Sequence, residues 1–159
     1  MKRFFLFYMI LLLASHVCAF GTNNVTISNK SSKGNLSVKL NIKINNGKST
    51  HLLSATLYDN SSSRALVAFI QAGDVTINMH DYSNFEKVGE LPKTLPRNDT
   101  PTDADAGDLI LYLGKSFVIY YDKNSWNFTP LGKIDNVSKN ELKSILGTGN
   151  VTAVLSIKE

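Results

Sequence analysis

The sequence predicts a mainly β domain carrying two short α-helices, and three observations lead there. Residues 107–114 (Gly-Asp-Leu-Ile-Leu-Tyr-Leu-Gly) and 116–121 (Ser-Phe-Val-Ile-Tyr-Tyr) are apolar, β-branched and aromatic runs separated by a Gly-Lys turn, so they form paired strands. Val38, Leu40, Ile42 and Ile44 alternate with Lys39, Asn41, Lys43 and Asn45, the period-two signature of a half-buried strand. Helical periodicity occurs in two brief stretches, and no strand–helix–strand alternation links them. Many strands with two helices in that arrangement point to a barrel or sandwich with helices at its ends.

Taken in order, the first 19 residues are a leader. Lys2-Arg3 supplies a cationic start, Phe4 to Leu13 an unbroken apolar run, and Val17-Cys18-Ala19 small residues at alternate positions, the pattern of a secretory signal peptide cleaved after Ala19. The run is short for a membrane span, so no stable membrane anchor is expected after its removal. Lipidation at Cys18 is the alternative, but it calls for a small residue directly before the cysteine and usually a leucine three before it, where Val17 and Ser15 stand. The expected location is secreted or periplasmic. Cys18 is the sole cysteine, so cleavage leaves a chain without disulfides, thiol catalysis or thiolate metal sites.

Residues 20–36 are Ser-, Asn-, Thr-, Gly- and Lys-rich with little to bury and are expected to be a flexible linker, leaving 37–159 as one domain. Losing Lys2 and Arg3 lowers the net charge of +4 to +2. The remaining lysines form no dense basic face interleaved with aromatics, which argues against a nucleic-acid partner.

Within the domain, Asn46-Gly47 suits a type I′ turn, and His51, Leu53, Ala55 and Leu57 alternate with Leu52, Ser54, Thr56 and Tyr58, which predicts a hairpin. Leu66, Phe69 and Ile70 share a helical face behind Ser61 to Ser63, any of which could cap it, and Gly73 ends the helix. Val75, Ile77 and Met79 make a short strand. His80 to Ala106, with Pro92, Pro96 and Pro101, is expected to be a long irregular excursion of the functional kind. After the central strand pair, Phe128 to Ile134 adds another strand. Ser138-Lys-Asn-Glu141 is a capping box, with Val137 placed to staple onto Leu142 and Gly147 as the left-handed stop. Val151, Ala153, Leu155 and Ile157 close the domain as a final strand.

Ala55-Thr-Leu-Tyr-Asp-Asn60 leads into Ser63-Arg-Ala-Leu66, Asn78-Met-His-Asp-Tyr82 is followed by Glu86-Lys87 and Leu91-Pro92, and Gly107-Asp108, Leu131-Gly132 and Gly147 to Val151 come after. Together these segments resemble the bacterial cyclophilin-like domain family. The likeness runs over about residues 38–158. It implies a cyclophilin-like closed β-barrel with two short α-helices, in a family without an established activity. It also raises prolyl cis/trans isomerisation, which needs an apolar groove and a guanidinium directed at the prolyl nitrogen. True cyclophilins carry that arginine in a Phe-His-Arg strand followed by Phe-Met-X-Gln-Gly-Gly-Asp. Here Phe69-Ile-Gln-Ala-Gly-Asp74 echoes the second part only, so Arg64 and Gln71 are weak catalytic candidates on a predicted helix.

A non-catalytic binding module is the favoured reading. Tyr112, Phe117, Tyr120, Tyr121, Trp126 and Phe128 cluster in the C-terminal third. Strand parity sends Tyr120 and Tyr121 to opposite faces, so Tyr112, Tyr120, Tyr121 and Trp126 are the candidates for a rim that takes a peptide, a glycan or a partner protein. No cofactor and no metal is expected: nothing in the spacing of His51 and His80 joins them, and Asp99, Asp103, Asp105 and Asp108 fail the EF-hand pattern. No Gly-X-Ser-X-Gly elbow is present. Asn-X-Ser/Thr triplets begin at Asn24, Asn29, Asn35, Asn60, Asn98, Asn127, Asn136 and Asn150 and are glycan acceptors only in a eukaryotic secretory host.

Overall fold

A computed structural model describes residues 37–157, so the expected signal peptide and linker lie outside the described residues. Nine strands and two helices follow in the order β1 (Lys39–Asn45), β2 (Thr50–Leu57), α1 (Ser61–Gln71), β3 (Val75–Tyr82), β4 (Glu86–Glu90), β5 (Thr100–Ala104), β6 (Asp108–Tyr112), β7 (Ser116–Tyr120), β8 (Asn124–Ile134), α2 (Lys139–Leu146) and β9 (Val151–Ile157). Every strand pair is antiparallel. The sheet order is β2-β1-β9-β3-β4-β7-β6-β8-β5, and β2 also pairs with β8, so eight strands return on themselves and β5 lies outside that ring.

The return to β2 depends on a glycine. Ala55 faces Ile134 and Leu57 faces Gly132 across it, and a Cβ at position 132 would stand 2.9 Å from the Leu57 Cα. Only a residue without a side chain lets the two backbones approach that closely. Inside the ring, Leu40, Ile42 and Ile44 of β1 meet Ala153 and Leu155 of β9, and the helices add Leu66, Ile70, Leu142 and Leu146 to the same core.

Local chemistry sets the helix ends. Asn60, rather than one of the expected serines, caps α1, its side chain accepting from the Ser63 amide at 2.9 Å. Ser62 and Ser63 are fully buried instead and donate to the carbonyls of Pro96 and Leu131, which ties the helix to the chain around it. At α2 the Ser138 hydroxyl accepts from the Glu141 amide as the capping box predicts, and Gly147 adopts φ +61°.

Two further expectations are corrected. The Asn46-Gly47 pair is not a two-residue type I′ turn: Asn45 faces Thr50, leaving a four-residue loop in which only Gly47 has positive φ. The Asn46 side chain accepts from the Lys48 and Ser49 amides and shapes that loop instead. The segment 80–106 is not a long irregular excursion, because it holds the end of β3, all of β4 and all of β5. β3 and β4 form a hairpin whose turn residues Ser83 and Asn84 both have positive φ.

A second, smaller cluster lies on the outer face of the ring, where Ile110, Val118, Tyr120, Phe128 and Ala104 are buried. The first half of β8 pairs with β5 rather than with β6. This two-stranded flap brings Phe128 and Ala104 to the outward side chains of β6 and β7.

Candidate functional site

Between the flap and the outer face of β3, β4, β7 and β6 runs a groove of about 750 Å³. Strand parity builds it. Tyr82 faces Glu86, and Glu86 faces Tyr120, across the three neighbouring strands. His80 and Val118 flank Val88 in the next row. Residues directly opposite on an antiparallel sheet share a face, so these rows form one continuous floor. Trp126, Phe128 and Asn124 of β8 and Tyr112 of β6 also line it.

The rings are held against one another. Phe85 lies parallel to Tyr120 at 6.1 Å, Tyr82 meets Phe85 edge-on at 5.8 Å, and Phe128 packs between Tyr120 at 5.6 Å and Tyr112 at 6.3 Å. Such pairs fix ring orientation as well as burying area. Trp126 is 65 % exposed and stands on the flap beside them.

Glu86 is the charged group set deepest in the groove, at 9 % exposure. Burial raises its pKa, and the Tyr120 hydroxyl and the nearby His80 only partly offset this. Burial and the bond to Glu86 also push the Tyr120 hydroxyl up. Asn124 donates to the Tyr120 oxygen at 3.2 Å.

The inner face of the same hairpin carries a closed polar centre. Lys87 points into the core with its side chain fully buried, and its ammonium donates to Asp81 at 2.7 Å and to the carbonyls of Gly149 at 2.7 Å and Gly147 at 3.2 Å. The Tyr121 hydroxyl donates to the same Asp81 oxygen at 2.5 Å. Burial would raise the Asp81 carboxyl, but the Lys87 and Tyr121 bonds outweigh it and hold the group below the usual carboxylate range.

Of the four binding candidates, Tyr112, Tyr120 and Trp126 come together in the groove, whereas Tyr121 belongs to this inner centre. The weak catalytic candidates sit elsewhere. Arg64, on α1, is 60 % exposed and pairs with Asp59 at 2.5 Å, and Gln71 is exposed at the end of the same helix. Neither lines the groove. His51, on β2, is hydrogen-bonded to Ser49 of the preceding loop, while His80 lines the groove. Asp99, Asp103 and Asp108 are engaged separately with Arg97, Ser125 and Lys133. Among the described residues no group of three metal-ligating side chains converges.

Sequence reasoning missed Glu86, His80, Tyr82 and Phe85, which lay in the segment read as irregular. A signal for the groove was present nonetheless. The uninterrupted apolar runs of β6 and β7, unlike the alternating run of β1, mark strands covered on both faces.

Fold and site together define a small mainly β domain with an aromatic groove on the outside of its sheet. The family model described as the cyclophilin-like family matches residues 43–156, and the chain belongs to that family. No curated protein matches the chain.

Proposed function

We infer that this protein is a binding module that holds its ligand in the outer-face groove, and that it works outside the cytoplasm, as a secreted or periplasmic protein. The ring closed by β2 and β8 is the family's barrel, and it acts as a rigid platform. The observation that carries the reading is the groove itself: about 750 Å³, walled by interlocked rings, with a few polar groups converging on its floor. That combination of apolar wall and sparse polar groups is what ligand sites present. The location rests on the cationic and apolar leader with its Val17-Cys18-Ala19 cleavage pattern.

Binding is preferred to prolyl isomerisation on the placement of the guanidiniums. Among the described residues Arg64 pairs with Asp59 and Arg97 with Asp99, and neither lines the groove. A rotating prolyl amide held there meets rings and a carboxylate, not the positive donor its nitrogen requires.

Trp126 is the only tryptophan in the chain, so its fluorescence reports occupancy of the groove. The test titrates the mature domain with short blocked peptides, with and without proline, while following Trp126 emission and the amide resonances of Val88, Val118 and Tyr120. Saturable changes there support the reading, and changes confined to other surfaces overturn it. Exchange spectroscopy on the proline peptide in the same samples completes the test. Accelerated cis/trans exchange that vanishes in Arg64→Ala makes the protein an isomerase instead.

A further inference from the structure

The groove combines carboxylates and ring faces, and among the described residues no lysine or arginine lines it. Glu86 is 9 % exposed, yet among the described residues it forms no ion pair, and the residue opposite it on β7 is the neutral Tyr120. By contrast Glu90, at the groove's exposed end, pairs with Lys115 at 2.9 Å. A carboxylate withdrawn from water without a counter-charge is unfavourable, and a cation arriving beside it removes that penalty. The negative faces of Tyr82, Phe85 and Trp126 favour the same sign of charge.

Depth selects the shape of the cation. Tyr82 and Tyr120 stand across from Glu86 on either side, and Phe85 lies parallel to Tyr120, so rings flank the carboxylate. A charge at the end of a long aliphatic stem meets this requirement, because the stem packs against Val88, Val118 and Phe128 while its head reaches the acid. Asn78, Ser116 and Asn124, which also line the groove, offer the amide and hydroxyl groups that an extended backbone uses. His80, opposite Val88 on β3, lines the same groove one row from Glu86.

We propose that the groove takes a lysine or arginine side chain from an extended segment of a partner protein, with its charged head at Glu86 and its stem among the rings. This rests on the binding-module reading and gives that module its ligand chemistry.

The experiment compares three blocked pentapeptides that differ only at the central residue, which is lysine, norleucine or ε-acetyl-lysine. Each is titrated into the unaltered domain and into Glu86→Gln, with Trp126 emission and groove amide shifts as readouts. The lysine peptide binds about tenfold tighter than the other two, as a charge-assisted contact requires. In Glu86→Gln that preference falls to within about twofold. Because the acetylated and norleucine peptides test charge in the unaltered protein, the result does not depend on how the variant folds. Equal binding of all three at the groove overturns the cation proposal and leaves the binding module standing. No response of Trp126 or the groove amides to any of them overturns both. Tetramethylammonium displacing the lysine peptide at equal concentration overturns the peptide-borne source in favour of a free organic cation.

Discussion

The two faces of the β3–β4 hairpin solve the same problem, a carboxylate taken out of water, in opposite ways. On the inner face Asp81 receives a buried ammonium and a phenol, and Lys87 gives its other donors to the carbonyls of Gly147, which caps α2, and of Gly149 in the loop after it. On the outer face Glu86 is buried beside rings and a neutral hydroxyl. The first carboxylate lies below its ordinary pKa and the second above it. A satisfied ion pair locks the hairpin to α2 and can take nothing more. An acid with no ion-pair partner among the described residues, set in an open groove, is left destabilised until a ligand arrives, the pattern expected where binding rather than folding sets the chemistry.

The largest effect comes from breaking the closed centre. Asp81→Ala leaves the Lys87 charge in the core without its carboxylate and lowers unfolding free energy by about 3 kcal/mol, measured by urea denaturation. A double variant, Asp81→Leu with Lys87→Met, sharpens the comparison. Replacing both charges with apolar groups recovers part of that loss. Recovery stays incomplete, because the Gly147 and Gly149 carbonyls lose their donor. Full recovery would mean that the carbonyl bonds contribute nothing.

Next in size is Gly89→Ala, on the same inner face of β4. A Cβ there would lie 2.5 Å from the Ile77 Cγ2 and 2.6 Å from the Asn78 carbonyl oxygen. β3 and β4 must therefore separate, at a cost of about 1–3 kcal/mol. On the outer face the expectation reverses. Trp126→Ala removes a mostly exposed ring and changes stability by less than about 0.5 kcal/mol. It weakens ligand binding by about 2 kcal/mol, as loss of an aromatic anchor does. A calorimetric melt and a binding titration on one sample separate the two effects.

The same contrast explains how much the sequence disclosed. α2 was legible because Ser138, Glu141 and Gly147 specify it locally, and β1, β2 and β9 because each alternates with one face in the core. β4 was not. Its inward positions are Lys87 and Gly89 and its one aliphatic residue, Val88, faces the groove, so the period-two pattern is inverted. Only the partners of Lys87, brought from Asp81 and from the end of α2, make that ammonium a core residue. β5 was hidden by Pro101, which a strand with a free edge tolerates. Tyr112, Tyr120, Tyr121 and Trp126 could be picked out because aromatic character is local, whereas which of Tyr120 and Tyr121 faces the groove could not. Their acid could not, since Glu86 joins them through the pairing of β4 with β7, which no short stretch of sequence encodes.

The smallest effect is also the most diagnostic, because it changes sign between the two acids. Asp81 has a folded pKa below its ordinary value of 3.8, so the folded state binds fewer protons than the unfolded one as the carboxyl titrates. Its contribution is present above that ordinary value and lost as pH falls through the folded pKa. Glu86 has a folded pKa above its ordinary value of 4.5, so its penalty is absent below that value and grows as pH rises through the folded pKa. Glu86→Gln removes the penalty. The variant therefore melts higher than the parent at pH 7, by an amount smaller than the Asp81→Ala loss, and the advantage disappears on titration to pH 4. Lysine-peptide affinity in the parent runs the other way, strengthening as pH rises toward 7 through the folded Glu86 pKa and the carboxyl ionises. Melting curves of parent and variant across that range check the sign. A variant that gains nothing at pH 7 would show that Tyr120 and solvent already satisfy Glu86, and the outer face would then be as closed as the inner one.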